Sequence, residues 1–168
     1  MEMRDEDFEN LDPVDPPILL GEGLYPAKRI KQEARKYSYG EKLVQVWHVY
    51  ISSDLTQYVV LSAFYNLSRD GGGRFDFGKV HSYRRDWIAA NGGRMPPRNS
   101  LPNKVWEGIK VVEVRTVTRE RRGPLHPSNY YSVVNRVVRP VEDGETFETL
   151  PLQPPGNTSK SSQNSRYR

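Results

Sequence analysis

The run at residues 43–66, LVQVWHVYISSDLTQYVVLSAFYN, limits the fold more than any other stretch of the chain. β-branched and aromatic side chains crowd both halves, and such residues fit a pleated, half-buried surface. Between the halves, Ser52, Ser53 and Asp54 favour a turn. Two adjacent strands joined by a short polar loop are therefore expected. In the first strand, one parity carries Leu43, Gln45, Trp47, Val49 and Ile51; the other carries Val44, Val46, His48 and Tyr50. Apolar residues on both faces point to a strand closed into a small barrel, not to a sheet with one wet side.

Shorter signals fill in the other elements. A first strand is expected over 24–31, with Pro26 at an edge or bulge, and a hairpin tip at Tyr39-Gly40-Glu41. Gly71-Gly72-Gly73 has nothing to bury and marks a flexible loop. Ser82 suits an N-cap for a helix reaching Ala90, and Asn91-Gly92-Gly93 ends it. Tyr83, Trp87 and Ala90 share one helical face, with Ile88 on its flank. A proline-rich connector and a short turn at 104–108 lead to strands at 109–118 and 130–139. The expected class is mainly β: a barrel of about five strands with one helix between strands three and four, the order found in the OB-fold, with other small barrels and open sheets capped by one helix as alternatives.

The ends differ in composition. The hydrophobic fraction of 36% lies below the roughly 45–50% usual for a globular domain. Part of the chain should therefore stay outside any core. The expected division is an acidic disordered arm at 1–17, one barrel domain at 18–140 and a disordered polar tail at 141–168.

Charge follows the same division. Residues 1–16 hold seven acidic side chains against Arg4, whereas residues 17–139 hold 21 Lys and Arg against 10 Asp and Glu, a net +11. So basic a middle segment favours a polyanionic partner, nucleic acid first. The acidic arm at 1–16 is placed to compete for that basic surface. An acidic protein partner is the alternative, with the chain as an interaction or assembly module of a phage or mobile element. Exposed edges in a small barrel also allow a homodimer.

The layout resembles the small single-stranded-DNA-binding proteins of phages and plasmids, many of them OB-fold. The resemblance is carried by the Gly23-Leu24-Tyr25-Pro26-Ala27 strand, the strand pair at 42–65, a helix after a flexible loop, and a closing hairpin at 108–139. It spans residues 20–140. The layout also resembles uncharacterised proteins of bacteria and their mobile elements. Bacterial-type single-strand binders end in a short acidic tail with a terminal Phe; this chain reads Asn164-Ser165-Arg166-Tyr167-Arg168, which argues against a general replication scaffold.

Single-strand binding needs cations for phosphates and flat side chains for bases. Residues 74–87 interleave the two as Arg74, Phe75, Phe77, Lys79, Tyr83, Arg84 and Arg85, and a second basic group follows at Arg115, Arg119, Arg121 and Arg122. Trp47, Tyr50 and Tyr65 are candidate stacking platforms, although Trp47, Phe64 and Trp87 suit a core better than a platform. Phe75 and Phe77 have no place in the strand pattern and carry the reading best. Arg84 and Arg85 stand in the first helical turn, against the helix dipole, which favours an anionic partner. DNA is favoured over RNA, through phosphate and stacking contacts without base-specific readout.

Catalytic signals are weak. The chain has no cysteine, so disulfides, thiolate-metal sites and thiol nucleophiles are excluded. His48, His81 and His126 lack metal-ligand spacing. Gly71-Gly72-Gly73-Arg74 lacks the Lys-Ser/Thr ending of a phosphate loop. Asp86 reads as a helix-surface partner for an arginine. No catalytic residue, metal or cofactor is expected. With neither a signal segment nor an apolar span, a cytoplasmic protein is expected.

Overall fold

The computed structural model describes residues 19–76, 81–97, 100–118 and 130–152. The acidic arm and residues 153–168 of the tail lie outside the described residues. Among the described residues, five long strands form one antiparallel sheet: β1 (Gly23–Tyr37), β2 (Gly40–Tyr50), β3 (Tyr58–Arg69), β5 (Ile109–Thr118) and β6 (Tyr130–Pro140). A two-residue strand, β4 (Phe75–Asp76), pairs with the end of β3. One α-helix, α1 (Ser82–Ala90), and one 3-10 turn (Asn103–Trp106) connect β4 to β5.

The strands run in the order β4-β3-β2-β1-β5-β6. Nevertheless β3 and β6, at opposite ends of the long-strand array, lie against each other, and α1 packs on β6. The sheet is thus rolled but not closed, and the helix covers its seam. Five strands with the helix between the third and fourth long ones, β1 pairing with both β2 and β5, are compatible with a partly open OB-type barrel.

Alternation along β2 and β3 sets the inside. Cross-strand pairs Leu43–Tyr65, Gln45–Ala63, Trp47–Leu61 and Val49–Val59 point inward. Trp87 and Tyr83 reach them from α1, and Trp106 from the 3-10 turn. The three tryptophans are all buried. Side chains of this size would gain little if left in water, so they define a single core.

Three elements depart from expectation. First, β1 does not stop near residue 31 but runs to Tyr37, turning through Ser38 and Tyr39 so that Tyr37 pairs with Gly40. Its far half is polar because only β2 flanks it there, so no apolar run marked it. Second, the glycine loop is a defined hairpin: the Asp70 side chain accepts from the Gly72 and Arg74 amides at 2.9 Å each. Third, residues 141–152, assigned by composition to the disordered tail, pack back on the sheet. Phe147 is buried, Leu150 packs on the core, and the Leu152 amide donates to the Leu24 carbonyl at 2.7 Å. A few spaced apolar anchors suffice where a sheet surface is already present. Gly23 fits this closure, since a Cβ there would lie 2.6 Å from the Pro151 ring.

Helix α1 ends as expected, with the Gly93 amide donating to the Ile88 carbonyl at 2.9 Å and Gly92 and Gly93 both at positive φ. Its N-cap is His81 rather than Ser82: the His81 ring accepts from the Tyr83 amide at 3.1 Å.

Candidate nucleic-acid interface

The outward parity of β1, β2 and β3 makes one broad face. Neighbouring rows read Glu33–Val44–Phe64, Lys31–Val46–Ser62 and Lys28–His48–Val60, with Arg35–Lys42–Asn66 at one end and Tyr50–Tyr58 at the other. Period-two alternation forces these residues to one side once Trp47 and Tyr65 point in. Tyr58 is 48% exposed, Phe64 40% and Val60 49%, so the face carries large apolar groups in contact with solvent.

Its rings are already organised. His48 and Tyr58 stack at 3.8 Å, with Tyr50 edge-on to Tyr58 at 6.3 Å. At the other end, Tyr37 and Tyr39 stack at 5.3 Å. The Lys42 ammonium lies 5.3 Å from the Tyr39 ring centre and 5.9 Å from that of Phe64. Lys42 and Tyr50 are separated by eight residues of β2, about 26 Å. Lys28, Lys31 and Arg35 flank this line on β1, with Glu33 as the acid among them, hydrogen-bonded to Arg35.

The residues expected from the sequence to form the site are dispersed. Trp47 and Tyr65 belong to the core and present no stacking surface. Tyr83 is buried as well, its hydroxyl accepting from Trp106 Nε1 at 3.1 Å. Tyr50 alone of the three platforms lies on the outer face. Arg74 is exposed in the β3–β4 hairpin beside Phe75 of β4. Arg84 is half-buried on α1; Arg85 is exposed but pairs with Asp86 and donates to the Asn135 carbonyl. Arg115 pairs with Glu113 on β5. Phe77, Lys79, Arg119, Arg121 and Arg122 lie outside the described residues.

Sequence reasoning missed Tyr39, Lys42, Tyr58 and Phe64. The available signal for Lys42, Tyr58 and Phe64 was their parity, since each stands out of phase with Trp47 or Tyr65 on its own strand; Tyr39 lies in the turn before β2, where strand parity gives no signal. Assigning the tryptophan inward would have placed the other set outward.

Asp86 is a correction of another kind. It is buried rather than on the helix surface, accepting from the Tyr65 hydroxyl at 2.8 Å and from Arg85 Nε at 3.0 Å. The network continues through the core: Trp47 Nε1 donates to Gln45, whose side-chain oxygen also lies 3.4 Å from the Tyr65 hydroxyl, Gln45 donates to Gln32, and Arg29 bridges Gln32 and Asn103. No buried side-chain polar atom among the described residues lacks a partner. A fully satisfied network of this kind fixes where α1 sits on the barrel.

Burial pushes the Asp86 carboxyl above the ordinary aspartate range, prevailing over its hydrogen bonds from Arg85 and Tyr65. A group that holds its proton more tightly when folded adds stability as pH falls between its ordinary and raised values. Asp86→Asn is expected to remove this component. Denaturant unfolding of wild type and variant from about pH 7 down to about pH 3 checks it. The stability difference should move in favour of wild type as the solution is acidified, and a flat difference would contradict the assignment. Glu33, Glu41 and Glu145, each held low by an arginine hydrogen bond, lose stability over the same interval but cancel in the comparison.

Among the described residues no helix is long and apolar enough to cross a membrane, and no group of three or more His, Asp or Glu could hold a metal ion. Comparison with protein families, with curated proteins and with solved structures finds no match to this chain.

Proposed function

We propose that the protein binds single-stranded nucleic acid, DNA in preference to RNA, along the outer face of β1, β2 and β3. The observation that carries this reading is the row of rings along that face, Tyr37–Tyr39, Phe64, then His48–Tyr58 and Tyr50, of which Tyr39, Phe64 and Tyr58 are exposed, with the Lys42 ammonium set between Tyr39 and Phe64. Rings accept bases of any identity by stacking, and lysines meet phosphates, so the contact needs no base-specific readout. The same region of an OB-type barrel, its strand 2–3 face, is a recurrent oligonucleotide surface. The proposed role is binding without catalysis.

About three cations on the face, Lys28, Lys31 and Lys42, are free to meet phosphates. The logarithm of the association constant should then fall against the logarithm of salt concentration with a slope of about −2. Anisotropy of a labelled oligo-dT, titrated at several salt concentrations and compared with duplex DNA, tests this. Tight binding of single strand over duplex with that slope is expected. No binding at low salt, or equal binding of both, would overturn the proposal; equal binding of an acidic polypeptide would favour an interaction module instead.

A further inference from the structure

The polar end of the β1–β2 hairpin extends past β5 but keeps β3 beside it as far as the Glu41–Leu67 pair. Strand β5 pairs with β1 only from Gly23 to Lys28, so the far half of β1 rests on β2 alone. The tip of this hairpin holds Tyr37, Tyr39 and Lys42, which form one end of the outer face. Glu41 neighbours Lys42 on the opposite parity of β2, that of Leu43 and Gln45, with Leu67 as its cross-strand partner, and its charge is opposite to what a phosphate-binding end requires.

Glu41 is held by one guanidinium. Arg69, the last residue of β3, donates through Nε and Nη2 to the two Glu41 carboxylate oxygens, each at 2.9 Å. Its Nη1 donates to the Gly73 carbonyl at 2.8 Å. Gly73 belongs to the turn that Asp70 closes around Arg74. The β2–β3 ladder already joins these two ends as far as the Glu41–Leu67 pair, and Arg69 adds a side-chain tie from Glu41 to the β3–β4 hairpin in a two-pronged geometry that a lysine could not reproduce. The Arg69 hydrogen bond also holds the Glu41 carboxyl below its ordinary range.

We propose that Glu41 and Arg69 are a positioning pair for the nucleic-acid face, holding the Tyr37–Tyr39 stack and the Arg74 hairpin at fixed spacing so that both meet one continuous single strand. This rests on the binding reading above. Fixing the two hairpin ends in the free protein reduces the ordering cost that binding would otherwise incur.

The sign of one substitution separates this from simple charge. Removing an acid from a polyanion-binding surface strengthens binding on electrostatic grounds alone. The positioning pair requires the reverse: Glu41→Gln should weaken oligo-dT binding by about threefold to tenfold. Arg69→Gln should weaken it at least as much, and the exchanged pair Glu41→Arg with Arg69→Glu should recover most of the loss. Amide hydrogen exchange in the β1–β2 tip of the free protein should quicken in both single variants and return towards wild type in the exchanged pair. If wild type binds and Glu41→Gln binds as tightly or more tightly, the positioning pair is wrong and the face stands. If wild type itself fails to bind, the binding reading falls and the inference falls with it.

Discussion

Tyr58→Ala is expected to weaken binding of a single-stranded oligonucleotide by about 5- to 150-fold, the equivalent of one base-stacking contact of about 1–3 kcal/mol. Tyr58 is half exposed, lies flat on His48 at 3.8 Å and carries Tyr50 on its edge. Its ring is thus held in place before any ligand arrives, and little rotamer freedom remains to be lost on binding. Stability should change little, because the side chain lies outside the core. Met95→Ala is the control: Met95 is 66% exposed but sits on the connector after α1, away from the sheet face. Equilibrium titration of both variants against oligo-dT checks the result. Wild-type affinity in Tyr58→Ala would mean that the strand does not lie on this face.

The opposite behaviour is expected of Trp47. Trp47→Ala should cost about 3–5 kcal/mol of stability, since it empties a fully buried indole site and removes the hydrogen bond to Gln45. Trp47 also meets Trp106 edge-on at 6.3 Å, so the cavity would open between β2 and the 3-10 turn beneath α1. A loss of that size is a large part of the roughly 5–15 kcal/mol by which a domain is stable. The thermal midpoint should fall by roughly 10–25 °C. Binding per folded molecule should be close to wild type at a temperature where the variant remains native. Together the two variants separate platform from core: one loses affinity without stability, the other stability without affinity.

Much of this architecture was legible in residue order. Strand β5 is marked at its observed bounds by Val112 and Val114, which alternate with Glu113 and Arg115 in a segment bounded by Gly108. The helix was placed through Ala90 by its face of Tyr83, Trp87 and Ala90 and by the two glycines after it. Each of these signals is local. The far half of β1 was ambiguous because its burial is low and its pairing comes from β2, several residues away across a turn. Composition places residues 141–152 in the polar tail because Phe147 and Leu150 have a surface to pack on only once the sheet exists.

The site was less legible than the fold, and Asp86 shows why. An aspartate between two arginines and a tryptophan has the sequence neighbourhood of a surface group. Its burial depends on Tyr65, twenty-one residues away, whose hydroxyl reaches it across the barrel. The β2–β3 run likewise contained both the core and the face, with no local mark to tell Trp47 from Phe64.

By itself, the sequence determined the element types, their order and the concentration of basic residues in the middle of the chain, because propensity, periodicity and charge are properties of neighbouring residues. Tertiary structure decided which parity of β2 and β3 faces out. Seating Trp47, Tyr65, Trp87 and Trp106 in one core leaves Tyr39, Lys42, Tyr58 and Phe64 to the solvent. A strand offers its two faces equally until something packs on one of them.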